Sequence, residues 1–102
     1  MNKVINGKMY NTETAELIAS CDNGLGSHEL YYVREELYRK KTGEFFLLGT
    51  SGPGGIYAQL VEGGGTRGAS EIIPYTIDEA KEWLEENASA DVYVATFGEV
   101  EE

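Results

Sequence analysis

The chain is poor in the residues from which most reactive sites are built. Among 102 residues it has one cysteine, Cys21, and one histidine, His28. A lone cysteine forbids an internal disulfide and fits a reducing compartment. One Cys and one His fall short of the four ligands of a zinc site. Long apolar runs are missing as well, and nothing approaches the ~20 residues of a membrane-spanning helix. The opening "MNKVINGKMY" is polar, without the apolar core of a signal peptide, so the cytoplasm is the expected location. Positive charge is also scarce: 8 Lys and Arg stand against 18 Asp and Glu, for a net charge of −10.

The deficit is local. Residues 1–68 carry 8 acidic and 7 basic side chains, whereas residues 69–102 carry 10 acidic ones and only Lys81, a balance of −9. Phosphates would be repelled by that end, which argues against its binding DNA or RNA. A basic protein partner suits it, and so does the plainer role of an acidic, soluble surface.

The length suits one domain over residues 1–102. Its parts are a β-rich half (1–50), a glycine-rich loop region (51–71), a C-terminal helical segment (72–98) and an acidic tail (99–102). Asn6-Gly7, between two short alternating runs, predicts a hairpin with a type I′ turn. "ELIASC" reads as a strand ending at Asp22-Asn23-Gly24, although Thr12 or Thr14 could instead cap a short helix. "LYYVREELYRKKTGEFFLLG" reads as the central hairpin, turning at Lys41-Thr42-Gly43; a helix over residues 29–41 is the runner-up, since Leu30, Val33 and Leu37 also fit helical spacing. Tyr31, Val33 and Leu37 are assigned to one strand face, and Tyr32, Arg34, Glu36 and Tyr38 to the other. Tyr and Phe on both sides of the turn predict aromatic pairs across the strands.

Most of the 13 glycines fall in "GTSGPGGIYAQLVEGGGTRGAS", read as loops around one short strand or turn, "IYAQLV". "IIPYTIDEAKEWLEEN" then reads as a proline-led helix. Thr76 and Glu79 form a T-x-x-E capping box, with Ile77, Ala80, Trp83 and Leu84 on the packed side. "ADVYVATFG" reads as a second short helix stopped by Gly98, although its β-tolerant residues Val92, Tyr93, Thr96 and Phe97 also allow a strand. The fold class expected is α+β: a small antiparallel sheet with the C-terminal helices on one face. Trp83, Leu84, Ala80, Ile77 and Phe97 are expected to meet Phe45, Leu47, Val33 and Leu37.

Few patterns carry chemistry. "GTSGPGG" lacks the spacing and lysine of a phosphate-binding P-loop and the G-x-G-x-x-G fingerprint. Arg67 in "GGGTRGAS" could meet an anion, but a mobile surface loop accounts for it as well. Cys21 and His28 could form a nucleophile and base, yet nothing in the sequence orients the histidine. No calcium-loop pattern is present. No catalytic residue, metal site or cofactor is therefore assigned. Two charged surfaces remain. Asp78, Glu79, Glu82, Glu85 and Glu86 on the helix, with Glu99, Glu101 and Glu102 in the tail, form the first. Arg34, Arg39, Lys40 and Lys41, interleaved with tyrosines, form the second, a composition seen on nucleic-acid surfaces and also on hairpins guarded against edge pairing.

The order "INGKMYNTETAELIA", "ELYRKKTGEFFL", "GPGGIYA", "IIPYTIDEAKEWLEEN" and "FGEVEE" resembles a family of small acidic proteins. They are carried by conjugative transposons, plasmids and phages of low-GC Gram-positive bacteria. The likeness covers nearly the whole chain. Its most specific pieces are "YNTETA", "LYRKKTGEFFL" and "EAKEWLEE" with the "FGEVEE" ending. "LLGTSGPGG" is looser than the family's glycine-rich turn, and "VYVATFG" lacks acidic residues usual there. The family is largely uncharacterised, so the resemblance implies a setting more than a mechanism, and it supplies no catalytic residues. It implies that some members are anti-CRISPR proteins acting on type II effector nucleases.

In that setting, carboxylates repeated along a helix at intervals of about 5–6 Å would suit a basic nucleic-acid channel. The leading expectation is a non-catalytic inhibitor of a CRISPR nuclease, or of its guide-RNA complex, that binds through Asp78, Glu79, Glu82, Glu85, Glu86, Glu99, Glu101 and Glu102. The alternative is a mobile-element accessory or regulatory protein touching DNA through Arg34, Arg39, Lys40 and Lys41. An enzyme using Cys21 ranks last.

Overall fold

The computed structural model describes residues 1–102. In chain order, strands β1 (Asn2–Ile5) and β2 (Lys8–Asn11) form a hairpin. Asn6 and Gly7 make its turn at φ 51° and 77°, the two positive values a type I′ turn demands. Strands β3 (Glu16–Asp22), β4 (Val33–Arg39) and β5 (Phe45–Ser51) follow, then the short pair β6 (Gln59–Leu60) and β7 (Thr66–Arg67), then β8 (Ala69–Tyr75). The main sheet is antiparallel throughout, in the order β3-β4-β5-β8. Two helices close the chain, α1 (Ile77–Asn87) and α2 (Ala90–Phe97). The fold is α+β, with both helices packed on one face of the sheet.

The core is organised by β5. "FFL" is a continuous apolar run, as befits a central strand covered on both faces. Phe45 and Leu47, with Leu37 from β4, receive Ala80, Trp83 and Leu84 of α1. Phe97 of α2 reaches Phe45, ring centroids 5.3 Å apart. On the opposite face Phe46 stacks on Tyr38 across the strands at 5.2 Å, and Tyr10 of the β1–β2 hairpin meets it edge-on at 5.6 Å. Ile72 completes this second cluster. The Lys41-Thr42-Gly43 turn joins β4 to β5, with Gly43 at φ 93°.

α1 begins as its sequence dictates. Thr76 accepts from the Glu79 N–H, and Glu79 accepts from the Thr76 N–H in return, at 3.1 and 2.9 Å. Asp78 and Glu79 lie in the first turn, where the helix dipole favours them. Ser89 caps α2, and Gly98 at φ 92° ends it. No helix is long and apolar enough to cross a membrane.

Several expectations are corrected. The helical segment does not begin at residue 72: residues 69–75 are β8, and Pro74 sits in that edge strand opposite Phe46. An edge tolerates a residue without an N–H. Tyr31 and Tyr32 precede β4 instead of alternating within it, because residues 27–31 form turns. Ile77 is 56% exposed and outside the helix–sheet cluster, being the first residue of α1, at the end of the contact. Val33 is half-buried and outside the cluster the helices cover. Of "IYAQLV" only Gln59 and Leu60 are strand.

The glycine-rich region is also not a set of free loops. Gly52 N–H donates to Tyr32 O at 2.9 Å and Gly54 N–H to Leu30 O at 2.8 Å, so residues 52–54 are laced to the turn before β4. The molecule measures 51 × 33 × 20 Å with a radius of gyration of 15.0 Å, against about 13 Å for a compact chain of this length.

Trp83 is buried at the centre of the helix–sheet contact. Trp83→Ala is expected to cost about 3–5 kcal/mol, measured by urea denaturation. An unchanged midpoint would mean that α1 does not depend on that contact.

Candidate functional site

The roll of α1 on the sheet is set by one carboxylate. Glu35 lies on β4, opposite Cys21 on β3 and Gly49 on β5, on the face that carries the helices. Trp83 Nε1–H donates to Glu35 Oε1 at 2.9 Å, and the Tyr57 hydroxyl donates to Glu35 Oε2. Tyr57 is itself buried, its N–H donating to Ser51 Oγ at 3.0 Å. Its ring lies directly over Gly49, where any Cβ would occupy the space of the ring. Glycine at 49 is thus a packing requirement. Burial, followed by the hydrogen bond to Glu35, pushes the Tyr57 pKa well above the ordinary tyrosine value.

With Trp83 turned to Glu35, the helix's acidic residues are fixed in direction. At about 100° per residue, Asp78, Glu79, Glu82, Glu85 and Glu86 fall within an arc of about 120°, on the side away from Ala80 and Leu84. Glu79, Glu82 and Glu86 line a cleft of about 200 Å³ with Trp83 and with Tyr75 of β8. Tyr75 registers them: burial first, then Glu35, Glu79, Glu86 and Glu82, push its pKa up. Glu85 instead joins Glu101 at a groove between the helices, lined also by Leu84, Tyr93, Val94 and Val100. Asp78, Glu99 and Glu102 are exposed. The predicted acidic set is therefore divided between a β8-side cleft and a groove on the α2 side.

None of these carboxylates is paired. Every ion pair in the molecule lies within residues 8–44: Lys8–Glu44, Arg34–Asp22, Arg34–Glu36, Arg39–Glu16 and Lys40–Glu44. Lys81, the sole base of the last third, lies 5.4 Å from the centre of the Phe97 ring.

The same ion pairs dissolve the basic cluster read from the sequence. Arg34 is held by Asp22 and Glu36 at 3.8 and 3.6 Å, and Arg39 by Glu16 at 2.8 Å. Five positions apart on one strand, Arg34 and Arg39 point to opposite faces. The Lys40 side chain is only 12% exposed, with its ammonium 3.8 Å from the centre of the Tyr10 ring. Lys41 alone is exposed and without an ion-pair partner. Sequence spacing counted these charges but did not show the acids opposite them.

Cys21 is half-buried beside Glu35, and burial, then Glu35 and Asp22, push its thiol pKa up. That is the reverse of an activated nucleophile. His28 lies in an exposed turn and makes no side-chain hydrogen bond. No group of three or more His, Cys, Asp and Glu converges to hold a metal ion. No protein-family model, curated protein or solved structure matches the chain.

Two predictions follow from these environments. Tyr38, Tyr57 and Tyr75 all have pKa values raised in the fold, chiefly by burial. A raised folded pKa means that the unfolded chain loses its proton first. The associated stability is complete below the unfolded tyrosine value near 10 and is lost as pH climbs through the folded values. Unfolding free energy should fall above about pH 10, and less steeply in Tyr57→Phe. Equal slopes in the two proteins would mean that Tyr57 is not the shielded group. Separately, Cys21 should react with iodoacetamide more slowly in the folded protein at pH 8 than in urea, because its thiolate is suppressed. Equal rates would contradict the buried thiol.

Proposed function

We propose that the protein acts by binding rather than catalysis, presenting the acidic side of α1 to a basic surface on a protein partner. The observation that carries this reading is the unpaired state of Asp78, Glu79, Glu82, Glu85 and Glu86, all on the side of α1 away from its packed residues. Ion pairs elsewhere neutralise the first two-thirds of the chain, so the long-range field is concentrated at this helix. With the resemblance to small acidic proteins of mobile elements, the partner class is a type II CRISPR effector nuclease or its guide-RNA complex. Its positively charged channel would attract carboxylates, and occupation of that channel would inhibit the nuclease. The raised thiol of Cys21 and the unoriented His28 support a non-catalytic role. DNA contact through Arg34, Arg39, Lys40 and Lys41 has less support, since three of the four are committed to carboxylates.

The test is to change Glu79, Glu82, Glu85 and Glu86 together to Gln. Gln keeps helix propensity and can still serve in the capping box at position 79. Capture of a CRISPR nuclease, and inhibition of its cleavage, should be lost while the circular dichroism spectrum is unchanged. Binding by the native protein should weaken as salt rises, with association slowed most. If the variant binds as well as the native protein, and Arg34, Arg39 and Lys41 changed to Gln abolish a DNA mobility shift, the acidic reading falls.

A further inference from the structure

The sheet has two free edges, and they are not alike. β3 is broken by a register irregularity between Leu17 and Ala19, a bulge that spoils further pairing. β8 is regular along its whole ladder with β5, from Tyr75 opposite Phe45 to Ala69 opposite Ser51. No residue from 69 to 75 makes a backbone hydrogen bond outside that ladder. Its outward N–H and C=O groups are a template for another strand. Pro74 removes one donor near the end of the template, leaving Ala69–Ile73 as the usable stretch.

What lies beside that edge decides what can pair with it. Glu71, Ile73 and Tyr75 stand on the helix-bearing face, in register with Gly49, Leu47 and Phe45. Glu71 is exposed, and Tyr75 opens into the cleft lined by Glu79, Glu82 and Glu86. A strand added at about 4.8 Å from β8 would lay its alternate side chains along this acidic and aromatic wall. A second copy would bring an identical wall against it, and two chains of net charge −10 repel. A nucleic acid is repelled likewise. A segment with a basic residue at every second position meets carboxylates and the Tyr75 ring.

We propose that the free edge of β8 accepts an extended basic segment of a protein partner as a fifth strand, its alternate Lys or Arg side chains lying against Glu71, Glu82 and Glu86. This rests on the acidic-surface reading and adds the partner's form: a strand joined by main-chain hydrogen bonds, instead of a folded basic patch met by charge alone.

A fluorescent (Lys-Val)4 peptide is the probe, alongside two versions N-methylated on the lysine amides or on the valine amides. In a strand, alternate residues turn their N–H groups to opposite edges. Strand addition therefore makes one methylated peptide bind at least about tenfold more weakly than the other, at equal charge. Glu71→Lys, an exposed change away from α1, should weaken the parent peptide by at least about tenfold, and amide exchange should slow at Ser70 and Ile72, which share the outward edge with Pro74. If all three peptides bind equally and exchange is unchanged, the contact is charge alone: strand addition is overturned and the acidic surface stands. If none binds, both readings fall. A concentration-dependent dimer with protected β8 amides would give the edge to a second copy and also overturn the proposal.

Discussion

The indole of Trp83 reaching the carboxylate of Glu35 is the contact on which the rest of the molecule turns. α1 has 11 residues, too few to persist alone in water, so it exists because Ala80, Trp83 and Leu84 are buried on the sheet. Burial by itself is non-directional and would allow the helix to roll. A half-buried carboxylate that must keep its donors does not, since losing either one costs desolvation without compensation. Glu35 therefore converts a greasy contact into one orientation. That orientation leaves Glu79, Glu82 and Glu86 beside β8 instead of β3.

The second donor to Glu35 arrives from the glycine-rich region, which makes that region part of the framework. Tyr57 can lie over the sheet only because residue 49 has no side chain. The chain leading into it is secured by Gly52 and Gly54 bonding to the turn before β4. Glycines that look in sequence like flexibility are used here for close approach of ring to backbone and of backbone to backbone.

The parts legible in the sequence were those governed by local rules. Asn6-Gly7, the Lys41-Thr42-Gly43 turn, the Thr76/Glu79 box and Gly98 each act within four or five residues, and each element they bound stands where they place it. The Tyr38–Phe46 pair was also readable, because a hairpin turn fixes its own register. What escaped was set by distant partners. β8 was hidden because "IIPY" gains its strand character from lying beside β5, and Pro74 suggested a helix start. The Glu35–Tyr57–Trp83 link joins residues 22 and 48 positions apart, and no spacing rule connects them. The basic cluster failed largely for the same reason: Asp22 and Glu16 on β3 neutralise Arg34 and Arg39 across the sheet, while Glu44 meets Lys40 from just beyond the turn. The acidic helix was legible as a charge pattern. Its direction was not, because direction depended on Glu35.

The excess charge and the open edge belong together physically. An uncovered, regular edge strand invites copies of itself to pair, and proteins blunt such edges with charges, bulges or proline. β3 has its bulge, and β8 has Pro74 at one end and Glu71 near its middle. Those devices act only locally, whereas the α1 carboxylates beside β8 oppose any second copy over a distance of about a Debye length. The same field that opposes pairing of like with like would, on the proposed reading, favour a basic strand. A single arrangement of charge would thus exclude one occupant of the edge and recruit another, and only while Trp83 holds the helix at its present roll.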